Sequence, residues 1–327
     1  MRDNNFIIEN NAKHLWHPMG APGDSINNPP KVIKSANGSK ISDIDEHTTV
    51  DAVGGLWCVN LGYSNDVIKK AISEQLNHLP YYSGFAGTTN PAAIEASFMV
   101  KEMFKTDGME KVFFTSGGSD SVETCLRLSR QYHRLRGEPT RTKFISLKKG
   151  YHGTHFGGAS VNGNNRFRIA YEPLLPGCFH LPSPYTYRNP FHERDPQKLA
   201  INIAQAFEDE IAFQDKNTIA AFIMEPIQGA GGVIVPDPSF MGLMQEICER
   251  NGILMISDEV ITGFGRTGSW SGARHWNVKP DMMSMAKGIT SGYFPVGAAL
   301  MGEKVADVFE NSNSPEAGIF HGYTYSA

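Results

Sequence analysis

The 327-residue chain carries a formal net charge of −4 and no block of basic residues, which argues against nucleic acid as a partner. Its 40% hydrophobic and 20% charged residues suit a soluble globular protein, and no apolar run approaches the length of a membrane span. Cys58, Cys125, Cys178 and Cys248 are far apart, form no CxxC pair and read as reduced thiols of a cytoplasmic protein.

Residues 1 to about 30 are polar and read as an irregular arm without the apolar core of a signal peptide. Lys31–Val53 reads as a β-meander, turned at Asn37-Gly38 because both residues tolerate positive φ. Gly54-Gly55 then lets the chain around Trp57 make a close approach. The spacing of Val67, Ile68, Ala71, Ile72 and Leu76 predicts a helix over Asn65–Leu79, capped by Ser64 or Asn65. A second helix opens at Asn90-Pro91, a cap followed by proline, and runs to about Phe104.

Lys111–Thr115 is a short strand. Ser116-Gly117-Gly118-Ser119 follows it, and a helix continues to Arg136, where Gly137 stops it. This strand–glycine–serine–helix unit is either a plain tight turn or a phosphate site, with free backbone N–H groups and a positive helix end. Further strands are expected at Lys143–Leu147, Ile219–Met224, Ile253–Ser257 and Met282–Ala286, with an antiparallel one at Val296–Met301. Helices are expected at Leu199–Phe213 and Phe240–Asn251, and residues 154–200 read as loop-rich. This alternation predicts an α/β fold, a largely parallel sheet with helices on both faces.

The strand Ile253–Ser257 runs straight into Asp258, and Lys287 follows the next apolar run, twenty-nine residues later. Adjacent strand ends would bring this carboxylate and amine into one crevice. The pair is either structural or catalytic. Pyridoxal phosphate needs such a pair: a lysine to hold it as a Schiff base and an aspartate to partner its ring nitrogen. Other motifs fail on context. Gly263–Gly268 fits GxGxxG but neither follows a strand directly nor opens a helix, so it reads as an irregular loop. Asp258-Glu259 resembles a Walker-B pair, but no GxxxxGK[ST] accompanies it. His152 and His155 lack metal-ligand companions and read as hydrogen-bonding or packing residues.

The ordered set TSGGSDSVE, YHG, EPIQGAGGVIVP, SDEVITGFGRTG, AKGITSGYFPVGA and HGYTYSA resembles the class III (ω-) aminotransferases, pyridoxal-phosphate enzymes of fold-type I. That resemblance implies a mostly parallel, seven-stranded sheet with helices on both faces, plus a partial small domain. Residues 1–60 would form the arm and part of the small domain, and 61–327 the large cofactor domain. It implies pyridoxal 5′-phosphate on Lys287, with Asp258 at the ring nitrogen, Val260 on one ring face and Tyr151 on the other. Gly118 and Ser119 would bind the phosphate, together with Thr324 from the neighbouring subunit of a homodimer. Trp57 and Tyr151 would wall the substrate pocket. Glu225 would sit near the cofactor, or merely orient its loop. GLWCVN and the alanine at Ala230, where 4-aminobutyrate and ornithine enzymes usually carry glutamate, point to the amine or ω-amino acid:pyruvate enzymes. The expected partners are an amine donor and a keto acid acceptor. An aminomutase, a decarboxylase or a non-catalytic chain is the alternative. The family continues past HGYTYSA through a C-terminal small domain, so the chain is expected to be truncated at Ala327 and to lack the arginine that binds substrate carboxylates.

Overall fold

The computed structural model describes residues 3–85 and 87–326. The chain divides into two units, Met1–Pro80 and Tyr81–Ala327. In the first, α1 (Asn4–Asn10) and α2 (Pro22–Asn27) replace the expected irregular arm. Local signals account for both: the Asp3 side chain accepts from Phe6 N, and Pro22 opens α2. The meander is present as β1 (Ile33–Asn37), β2 (Lys40–Asp43) and β3 (Thr48–Val50), paired antiparallel in that order. Asn37 pairs with Lys40, so the turn is Gly38-Ser39, one residue later than expected, and Gly38 takes φ 57. A distorted turn, α3 (Gly54–Trp57), precedes α4 (Asp66–His78), whose cap is Asn65.

The second unit holds α5 (Pro91–Phe104), β4 (Met109–Thr115), α6 (Gly118–Leu135), β5 (Lys143–Leu147), α7 (Phe156–Val161), β6 (Cys178–Leu181) and α8 (Pro196–Gln214). After these come β7 (Ile219–Met224), α9 (Phe240–Asn251), β8 (Leu254–Asp258), α10 (Gly272–His275), β9 (Met282–Met285), β10 (Gly297–Gly302) and α11 (Glu303–Glu310). The seven strands form one sheet in the order β4-β10-β9-β8-β7-β5-β6. Only β10 runs against its neighbours. The buried strands β7 and β8 carry apolar side chains on both faces, as helices on both sides require. Phe222, Met224, Met255 and Met283 pack with α5, α8 and α9. Ala221, Ile223, Leu254 and Ile256 pack with α6 and α11. Because side chains alternate along a strand, Asp258 continues the row of Leu254 and Ile256 on the α6 side.

Candidate active site

Every strand that serves the site ends at the same edge of the sheet. Gly118 opens the helix after β4, Tyr151 follows β5, Glu225 follows β7, Asp258 ends β8 and Lys287 follows β9. A parallel sheet gathers ligand-binding groups at the carboxyl ends of its strands. Here they line a cavity of about 120 Å³, which includes Gly118, Ser119, Tyr151, Glu225, Asp258, Val260 and Lys287. Val122, His152, Gly153 and Ile261 complete its wall.

Asp258 is 3% exposed and held on both oxygens. His152 Nδ1 donates to Oδ2 at 2.8 Å. Ser284 Oγ donates to Oδ1 at 2.9 Å, and Val260 N to the same oxygen at 3.2 Å. The register Asp258↔Ser284 between β8 and β9 sets the serine opposite the carboxylate. A carboxylate only accepts, so Nδ1 of His152 carries the ring proton. His152 Nε2 is buried without a hydrogen-bond partner among the described residues. His152 and Ser284 were not assigned to the site from sequence. For His152 the available signal was its place beside Tyr151 at the end of β5.

Glu225 is 4% exposed, and its carboxylate accepts Tyr151 N at 2.9 Å and Gly229 N at 2.8 Å. Burial pushes its carboxyl up to about 7, opposed by the nearby His152 and the two amides. Its oxygens hold backbone, so it orients the loops of Tyr151 and Gly229. The Tyr151 ring meets Phe167 edge-on with centroids 4.8 Å apart. Burial, followed by the charges of Asp258 and Glu225, raises the Tyr151 phenol above its ordinary value. Lys287 takes φ 49, a left-handed conformation uncommon for a residue with a side chain. Such strain is tolerated where surrounding structure over-determines the residue.

At the other side of the cavity α6 begins. Its N-cap, Gly117, offers no side-chain acceptor, so the first N–H groups of an 18-residue helix keep their donor capacity. A Cβ on Gly118 would lie 3.0 and 3.1 Å from the two methyls of Val260. Gly118 therefore lets the helix start close to Val260. Ser119 Oγ accepts Thr154 N at 3.1 Å. Thr324 is exposed and does not line this cavity; its carbonyl accepts Tyr81 Oη at 3.0 Å. Trp57 belongs to the first unit, where it takes φ 58. Gly263–Gly268 forms irregular turns, as its sequence context predicts.

A family model described as Aminotransferase class-III matches residues 23–327. The chain belongs to this family. The chain is 36% identical, over 90% of its length, to the putrescine–pyruvate aminotransferase of Pseudomonas aeruginosa, and spans 64% of that enzyme. It is 35% identical to an omega-aminotransferase of Caulobacter vibrioides, covering 97% of this chain and 72% of the relative. Among solved structures, the PLP-bound form of an amine transaminase from an uncultivated Pseudomonas species is similar at a TM-score of 0.94 and 47% identity. That match covers 96% of this chain and 70% of the other, and the likeness shows the fold-type I aminotransferase architecture.

The class-III cavity also fits the family's cofactor chemically. A fixed, buried carboxylate suits a protonated ring nitrogen. An uncapped helix start suits a phosphate, and a lysine on the same wall suits an aldehyde.

Proposed function

We propose that this protein is a transaminase that uses pyridoxal 5′-phosphate to move an amino group from an amine or ω-amino acid to a keto acid such as pyruvate. The observation that carries the reading is the shared cavity: Asp258, Lys287 and the free start of α6 converge on one space. When bound, the cofactor supplies an electron sink that makes the proton on the substrate's amine-bearing carbon removable. Lys287 Nζ would hold the cofactor, and its amine would move that proton. Asp258 keeps a proton on the ring nitrogen, and its hydrogen bonds from His152, Ser284 and Val260 N hold the carboxylate in place. Val260 and Tyr151 would flank the ring. Gly118, Ser119 and the first turn of α6 would hold the phosphate. Glu225 sets the position of Tyr151.

Thr324 of the partner subunit completes the phosphate site in a homodimer. The exposed apolar side chains Ile94, Phe98 and Met99 on α5 support this reading, because such a face calls for a partner. No helix among the described residues is long and apolar enough to cross a membrane. With four cysteines as free thiols, we place the protein in the cytoplasm. Gamma-aminobutyrate transaminase 1 of Oryza sativa subsp. indica is also 36% identical, so overall identity does not choose the donor. Ala230, where the 4-aminobutyrate enzymes usually carry glutamate, favours an amine or ω-amino acid donor with pyruvate. The test is an alanine-forming assay with the full-length protein, pyruvate and a panel of amines including 4-aminobutyrate. Turnover with the amines supports the reading, and no alanine from any donor overturns it.

A further inference from the structure

Asn162 closes α7 and is fully buried. Its Oδ1 accepts His152 N at 2.5 Å, and its Nδ2 donates to the Gly153 carbonyl at 2.9 Å. One side-chain amide thus satisfies a donor and an acceptor of the strip that carries the site, as a neighbouring strand would. The same strip is tied down at every residue. Tyr151 N donates to Glu225, the His152 ring donates to Asp258, and Thr154 N donates to Ser119 Oγ. Gly153 sits against Ser119, where a Cβ would meet Ser119 Oγ at 2.7 Å.

Asn162 reaches the strip because its neighbour is glycine. A Cβ on Gly163 would lie 2.1 Å from the Leu147 carbonyl, and only a bare backbone fits. Two backbone bonds then fasten the segments together, Lys149 N to Gly163 O at 2.8 Å and Gly163 N to Gly150 O at 2.9 Å. From behind, Arg168 Nη1 donates to the Asn162 carbonyl at 3.1 Å and to the His180 ring at 2.9 Å. The amide therefore has a fixed base as well as a fixed target.

We propose that Asn162 is a positioning residue of this active site. It sets the His152 backbone so that the ring stays on Asp258, and it keeps the Thr154–Ser119 contact in register with the start of α6. The consequence for rate rests on the transaminase reading; the effect on the His152 ring does not. Buried amides also stabilise loops without any bearing on a site, and the test must separate the two roles.

The test uses the full-length protein with Asn162→Ala, and Val161→Ala as a structural control. Val161 is the fully buried neighbour on α7, and its apolar side chain packs in the cluster that includes Val122, Phe144 and Ile223. Ring ¹⁵N shifts of His152 are read in cofactor-free protein and assigned with His152→Gln. Pyridoxal 5′-phosphate is then titrated by visible absorbance, and amine-plus-pyruvate kinetics are recorded. Asn162→Ala is expected to move the His152 ring signals and to lower kcat by roughly ten- to a hundredfold, with little change in the KM for the amine. Val161→Ala is expected to lower Tm and leave the ring signals in place. A folded Asn162→Ala protein with unchanged His152 signals overturns the proposal. If that variant does not fold, Asn162→Asp is read instead; it keeps an acceptor for His152 N and loses the donor to Gly153. Moved signals there support the proposal, and unchanged ones overturn it. Failure of the wild type to bind pyridoxal 5′-phosphate would overturn the transaminase reading alone, because the ring signals are read without it.

Discussion

His152 donates from Nδ1 to Asp258 Oδ2 across 2.8 Å, with both side chains buried. The other carboxylate oxygen takes two donors, Ser284 Oγ and Val260 N. In Asp258→Asn the amide oxygen can stay with Ser284 and Val260, and the NH₂ can face His152 if the imidazole shifts its proton to Nε2. The fold and cofactor binding should survive, while the charge does not. A charge aimed at the reacting group is worth about 3–4 kcal/mol in the transition state, so turnover should fall by about a hundredfold or more. Stopped-flow or steady-state kinetics alongside Tm would check this. Near-normal turnover in a folded variant would remove Asp258 from its role.

Lys287 is predicted to be the covalent attachment site. Borohydride reduction of the cofactor-loaded protein followed by peptide mass mapping should place the pyridoxyl label on Lys287. Lys287→Ala should abolish both label and turnover. A label on Lys148 or Lys149 would show that a different strand end carries the cofactor.

Gly118→Ala should test the phosphate turn. The new Cβ would press on both Val260 methyls, and a β-branched side chain has little freedom to yield. Overpacking of this kind typically costs about 1–3 kcal/mol. Part of that strain should appear as displacement of Val260 into the cavity, with pyridoxal 5′-phosphate bound about tenfold more weakly or worse. Equilibrium titration would read the affinity, and unchanged binding would mean that the turn and Val260 are not coupled.

Glu225 gives a pH signature. Burial lifts its carboxyl from 4.5 to about 7 in the folded chain. Below 4.5 both folded and unfolded chains hold the proton, and the group costs nothing. Between 4.5 and 7 the unfolded chain releases its proton first, so stability falls as pH rises. Above 7 the full cost remains, roughly 3 kcal/mol. Urea unfolding of the wild type from pH 5 to 8 should show this fall, and Glu225→Gln should lose it. Parallel pH profiles for the two proteins would mean that Glu225 ionises normally.

The long helices and every strand but β6 were legible because each had a local cause; β6 lies in the stretch 154–200 that reads as loop-rich. Asn65 and Asn90 cap α4 and α5 as their sequence positions suggest, and Gly252 ends α9 in the left-handed conformation. Helix α7 was not legible, because Phe156-Gly157-Gly158-Ala159 reads locally as a loop. Packing demands those glycines: a Cβ on Gly157 would meet Glu123 Oε2 at 2.3 Å, and one on Gly158 the His152 carbonyl at 2.4 Å. Asp258 and Lys287 stood out because each follows an apolar run. His152, Ser284 and Asn162 did not, since what they touch is set by β5, β9 and α7 coming together.

Asp258 and Lys287 line one cavity because β8 and β9 are neighbours paired at Asp258↔Ser284. Sliding β9 by one residue would turn Ser284 to the opposite face and carry Lys287 with it. The connection between the strands, which includes the turns at Gly263–Gly268, has no such fixed stride. Insertions there should be absorbed in evolution and in engineered variants, whereas a single residue added inside β9 should not. The twenty-nine-residue interval that draws the eye to this pair is thus the part of it most open to drift.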